Sequence, residues 1–147
     1  MHDPVLLAKA ETVERCILRA RGALAASADF FTDLDAQDIA LINIIRACEA
    51  SIDIALRMVK LANLGLPNTS SDSFNLLAQH KIIDTNLSKK LTRMVSFRNI
   101  AVHQYTKLDY EIVIAVIRHE LDDVLRFIGT AITRDTPQNL KHPDGYP

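Results

Sequence analysis

Apolar residues return every three or four positions along almost the whole chain, and no stretch of strand length alternates apolar with polar. That period is the signature of helices with one buried stripe, so it excludes sheets and leaves a helical bundle. Asp3 caps a first helix with Pro4 at its opening position, and Val5, Leu6, Val13, Cys16, Ile17, Ala20 and Leu24 carry the stripe to about Ala28. A longer helix starts between Thr32 and Asp35, buries Ile39, Ile42, Ile45, Ile52, Ala55, Leu56 and Val59, and ends at Gly65. Leu66 to Asp72 is a loop, and a short helix from about Asp72 to His80 turns Phe74, Leu77 and Ala78 inward. Thr85 or Asn86 caps a fourth helix bearing Leu87, Leu91, Met94 and Val95. Asp109 caps a fifth, with Ile112, Val113, Val116, Ile117, Leu121, Val124 and Ile128 on its face. The pattern predicts an all-α, up-and-down bundle of about five helices over 1–134, followed by a flexible C-terminal tail, 135–147, rich in Pro and Gly.

Composition agrees with long helices. The 147 residues include only 4 Gly and 5 Pro and no Trp. A formal net charge of -1 rules out a protein coated in positive charge, so any nucleic-acid contact must come from a patch. The 2 cysteines, Cys16 and Cys48, fall inside helical patterns without metal-type clustering and read as core thiols of a reducing compartment. No apolar run approaches the roughly 18 residues that span a bilayer, and Met1 to Arg15 mixes charges among its apolar residues, unlike a signal peptide. The expected location is the cytoplasm, with no membrane partner.

One cluster carries chemistry. Arg98-Asn99-Ile100-Ala101-Val102-His103-Gln104-Tyr105 places a permanent cation, a group that titrates near neutrality and a phenol close together. Around it, residues 85–107 contain Lys89, Lys90, Arg93, Arg98 and Lys107 and no Asp or Glu. On a continuous helix Arg98 and His103 stand roughly 140° apart, so they share one small site only if the backbone changes course or a second chain completes it. Arg98 continues the stripe of Leu91 and Met94, where a guanidinium needs a partner. Asn99 lies one turn before His103 and is placed to orient the imidazole. Arg46, Glu49 and Asp53 share a face of the second helix, as a surface ion-pair ladder or, for Arg46, as part of a cleft lining. Neither Glu-x-x-His nor His-Glu-x-x-His occurs, and His119-Glu120-Leu121-Asp122-Asp123 reads as a solvated face, so no metal is expected. His80 is expected to bond helix-terminal carbonyls, and His2 and His142 to sit in frayed ends.

The cluster resembles the signature of the HepT branch of the HEPN superfamily: Arg, four residues, His, one residue, Tyr. Segments at Arg46 to Asp53, Leu64 to Pro67, Phe74 to Ala78, Met94 to Phe97 and Leu108-Asp109 resemble HepT segments in the same order, over about residues 3–134. The resemblance implies an all-helical homodimer with both signatures facing a shared cleft, acting as a metal-independent endoribonuclease toxin without a cofactor. It implies that Arg98 binds the scissile phosphate, that His103 is general acid or base and that Asn99 supports them. Lys89, Lys90, Arg93, Lys107 and Arg46 are the candidate RNA contacts. It implies further that an MntA-like minimal nucleotidyltransferase antitoxin, alone or in a larger hetero-oligomer, silences the toxin by AMPylation of Tyr105, setting a phosphate beside Arg98. Two alternatives stand beside this reading: a non-catalytic HEPN module that binds RNA or a nucleotidyltransferase, and a purely structural bundle.

Overall fold

The computed structural model describes residues 3–135. Helices α1 (Pro4–Ala26), α2 (Leu34–Leu61), α3 (Ser70–Gln79) and α4 (Thr85–His103) precede a single 3₁₀ turn at Tyr105–Lys107. A last rod follows, made of α5 (Tyr110–Ala115), a π-helical turn (Val116–Glu120) and α6 (Leu121–Asp135). No strand occurs among the described residues, and the all-α expectation holds. Of the expected tail, 135–147, Asp135 is the last residue of α6; residues 136–147, His142 among them, and His2 lie outside the described residues.

Polar links set the directions of the rods. Lys9 pairs with Asp53 at 2.9 Å and Asp3 with Arg57 at 2.7 Å, so α1 and α2 run antiparallel. The Asp3 amide donates to Asp135 at 3.0 Å, and Arg21 reaches Asp122 at 2.8 Å, so α6 runs back along α1. Within the core, Phe74 of α3 meets Phe127 of α6 edge to face at 5.3 Å, and both rings are fully buried. The short helix is thereby tied to the last rod.

Asp3, with Pro4 behind it, accepts hydrogen bonds from the Val5 and Leu6 amides, as its cap position predicts. The Arg57 guanidinium, joined by those two amides, holds the Asp3 carboxyl below its ordinary value against the opposing effect of burial. A lowered folded value means that the native state binds fewer protons than the unfolded chain. The Asp3 contribution is therefore present above the ordinary carboxylate range and lost as pH falls through the lowered value. Asp3→Asn is expected to lower the urea midpoint at pH 7 and to lower it progressively less as the pH falls below the ordinary carboxylate range; a loss of the same size at every pH would show that charge is not the cause.

Four local expectations are corrected. The second helix stops at Leu61 rather than at Gly65, because Asn63 takes the left-handed conformation (φ 56°) and the Leu64 amide closes back on Val59 O at 3.0 Å. Asp84, not Thr85 or Asn86, caps α4 through the Leu87 amide. On α2, Ile39, Ile42 and Leu56 are exposed at 41%, 45% and 39%, while Ala40, Ile44, Ala47, Ser51 and Ile54 face inward. The fifth helix is interrupted by the π turn, and Ile112 is exposed. Val113, Ile117 and Leu121 recur at four-residue steps, each overshooting an α-helical turn by about 40°; the wider π turn absorbs that drift and keeps all three buried. Arg21 Nε donates to the Ile117 carbonyl inside the π turn at 3.0 Å and pins it to α1.

Candidate active site

Helix α4 is unbroken from Thr85 to His103, so no change of course lies between Arg98 and His103. The turn comes just after: Gln104 leaves helical geometry at φ −139°, and Tyr105 sits on the 3₁₀ turn, 62% exposed. One chain therefore presents Arg98 and His103 on different sides of one rod, as helical spacing predicts. The first of the two solutions open to the sequence, a change of course between them, is therefore not the one this helix takes.

Arg98 faces α2. Its side chain is 18% exposed, with the fork anchored at two points: Nε donates to Asn99 Oδ1 at 3.0 Å, and Nη1 lies 3.4 Å from Glu49 Oε2 of α2. The cation expected on the apolar stripe thus has its partners and still reaches solvent. Asn99 supports Arg98 rather than His103, a correction that follows from its side chain curling back along α4. The ladder from Arg46 to Asp53 is also corrected: Glu49 turns to Arg98 and Asp53 to Lys9, each toward a different neighbouring helix. Sequence spacing alone missed Glu49 as a member of the site. Its only signal was an acid on the long helix next to a buried thiol.

That thiol, Cys48, is buried beneath the pair and donates to Met94 O at 3.7 Å. Burial pushes it up to about 12, with Glu49 adding to the rise and Arg98 opposing it, so it stays protonated and is no nucleophile. His103 is exposed at the end of α4 and makes no hydrogen bond to other described residues. Tyr105 stands near Tyr110, whose phenol is raised by burial, then by Asp38 and by Tyr105 itself. Phe30 packs edge to face on Tyr110 at 6.0 Å and fixes the base of this turn.

The basic stretch divides. Lys89, Arg93 and Lys107 are exposed and unpaired among the described residues, as is Arg46 on α2. Lys89 falls roughly on the His103 side of α4, and Arg46 lies one turn from Glu49 on the Arg98 side. Lys90 is removed from this set, because it turns to the buried Asp123 of α6 at 3.6 Å. Asp123 also corrects the solvated-face reading of residues 119–123, since Lys90 and Arg126 hold it inside the bundle. His80 bonds Leu76 O through Nδ1 at 3.0 Å, as expected of a helix end. Among the described residues no group of three or more His, Cys, Asp or Glu side chains is arranged to hold a metal ion. No helix among them is long and apolar enough to cross a membrane.

A family model described as ribonuclease HepT-like matches residues 13–131, which includes both α2 and the whole signature from Arg98 to Tyr105. The chain belongs to the ribonuclease HepT-like family. Within reach of that family, the mRNA nuclease HepT of Shewanella oneidensis is 42% identical over 128 residues, covering 87% of this chain and 96% of the relative. A solved structure of tri-AMPylated Shewanella oneidensis HEPN toxin in complex with MNT antitoxin superposes with a TM-score of 0.85 at 40% identity, covering 89% of this chain and 98% of that one. A toxin–antitoxin structure with AMP-PNP gives 0.85 at 39% identity, over 89% of this chain and 99% of that one. The cytosolic protein YutE of Bacillus subtilis, at 15% identity and a TM-score of 0.66, shares the fold alone, over 84% of this chain and 88% of its own. The expected HepT-like helical fold and ribonuclease family are borne out.

Proposed function

We propose that two copies of this chain close a cleft in which Arg98 and His103 cleave RNA without a metal, in the cytoplasm. Arg98 binds the scissile phosphate and stabilises the charge that grows on it, because its fork is already held by Asn99 and Glu49 and loses little freedom on binding. His103 transfers a proton at the ribose 2′-hydroxyl or the leaving oxygen. Asn99 is the positioning residue for Arg98. Lys89, Arg93, Lys107 and Arg46 contact the flanking phosphates, with Lys90 retained by Asp123.

The observation that carries this reading is the pairing of an anchored, solvent-reachable Arg98 with an unbonded His103 at the end of the same helix. Anchored cation and free imidazole are what phosphate binding and proton transfer separately require. The test incubates protein of confirmed unmodified mass with cellular RNA in EDTA beside His103→Ala and Arg98→Ala. Cleavage in the parent alone supports the reading, and its absence from every preparation leaves the non-catalytic binding module.

The exposed Tyr105 phenol is the acceptor for AMP from an MntA-like nucleotidyltransferase, within a toxin–antitoxin complex whose toxin part is the homodimer. An added phosphate there occupies the approach to Arg98 and blocks RNA by charge and bulk. Tyr105→Phe is expected to fold and cleave like the parent yet gain no AMP mass when co-expressed with the antitoxin. Modification that persists in the phenylalanine variant places the acceptor elsewhere.

A further inference from the structure

Cleavage through the 2′-hydroxyl needs two proton-transferring groups, one taking the proton from the nucleophile and one giving a proton to the departing 5′-oxygen. Each chain offers one imidazole, His103, as the last residue of α4, where a cation interacts favourably with the helix dipole. That placement suits the donor and leaves the acceptor unassigned. Glu49 is the carboxylate nearest the phosphate-binding cation. Its Oε2 shares the Arg98 fork, its Oε1 carries no bond to another described residue, and its side chain is 52% exposed. A phosphate bound by the remaining N–H groups of Arg98 would lie beside this carboxylate.

Building on the ribonuclease reading, we propose that Glu49 is a catalytic residue, the general base for the 2′-hydroxyl, with His103 as the general acid. Glu49 takes the proton from O2′ as the O2′–P bond forms. The P–O5′ bond breaks, and its electron pair leaves on O5′, which receives the proton of the His103 imidazolium. The products are a 2′,3′-cyclic phosphate and a 5′-hydroxyl, and no other reactant is consumed. The electrostatics favour this order: Glu49 loses its charge as negative charge grows on the phosphorus oxygens, so the net charge facing Arg98 stays level through the step. The groups facing Glu49 are Arg98 from α4, Arg46 one turn earlier on α2 and the protonated thiol of Cys48 beneath.

The test uses full-length unmodified protein, a short single-stranded RNA and EDTA, with kcat and KM followed across pH. Glu49→Gln keeps the shape and one acceptor oxygen but cannot take the proton. It is expected to lower kcat by about 10²-fold with little change in KM, and to change the dependence of kcat on pH, which Glu49→Asp retains. Circular dichroism and the urea midpoint, unchanged at this half-exposed position, separate a chemical loss from a folding one. Near-parental kcat in Glu49→Gln beside an inactive His103→Ala overturns the proposal and makes the second copy's His103 the base. A fall in kcat with an unchanged pH profile also overturns it, leaving Glu49 to hold Arg98 only. An active His103→Ala is a different outcome, because it removes His103 from the chemistry and with it the Arg98–His103 site on which this proposal rests.

Discussion

His103→Ala is expected to lower kcat for RNA cleavage by about 10²–10⁴-fold, the contribution a positioned acid or base makes to proton transfer. The side chain is exposed and bonds to no described residue, so its removal should leave the unfolding midpoint where it was. Arg98→Ala should cost about 10²–10³-fold, since it deletes a fixed donor to the developing charge. It also frees Glu49, but that carboxylate is half exposed and the pair contributes at most about 1 kcal/mol to folding. Arg98→Lys separates charge from geometry. Lysine restores the positive charge but cannot bridge Asn99, Glu49 and a phosphate with one planar group, so only partial recovery is expected. Single-turnover cleavage of a labelled RNA measures all three, and parental rates in both alanine variants would remove this cluster from the chemistry.

Phe127→Ala is expected to destabilise the bundle by about 3–5 kcal/mol, the usual cost of emptying a closed aromatic site. The ring is 0% exposed and packs edge to face on Phe74, itself at 1%. Since a domain of this size is stable by only about 5–15 kcal/mol, one substitution would consume a large part of the margin. The loss should appear in urea unfolding as a lower midpoint with little change in slope. Phe127→Leu keeps most of the volume and should cost less than about 2 kcal/mol. A loss for alanine no greater than that for leucine would mean that α3 does not close over α6 as the structure has it.

The helices were legible because each rests on neighbours in sequence. Asp3, Asp109 and the Asp33 within the expected range all cap where a short acidic side chain precedes an apolar period. The errors share a cause. Judging α2 by its largest side chains picked Ile39, Ile42 and Leu56, which are exposed. Its inner face instead carries Ala40, Ala47 and Ser51 beside Ile44 and Ile54, and the small residues let the surrounding helices approach a central rod closely. The π turn escaped notice because a drift of four-residue steps looks like an ordinary amphipathic helix until the opposing surface is known.

At the site the division is the same. The composition and order of the signature, the placement of Arg98 on the stripe and His103 off it, and the need for something to complete the cation all followed from the local run of residues. All of these depend on positions within two helical turns, where a fixed period sets geometry. What completes it came from the packing of α2 on α4, which brings Glu49, 49 positions away along the chain, against Arg98. The tertiary structure likewise took Lys90 out of the basic stretch by setting Asp123 beside it, and turned Asn99 toward the guanidinium. Those partners depend on how rigid helices pack side to side, and that is settled by the shape of the whole core rather than by any local run of residues.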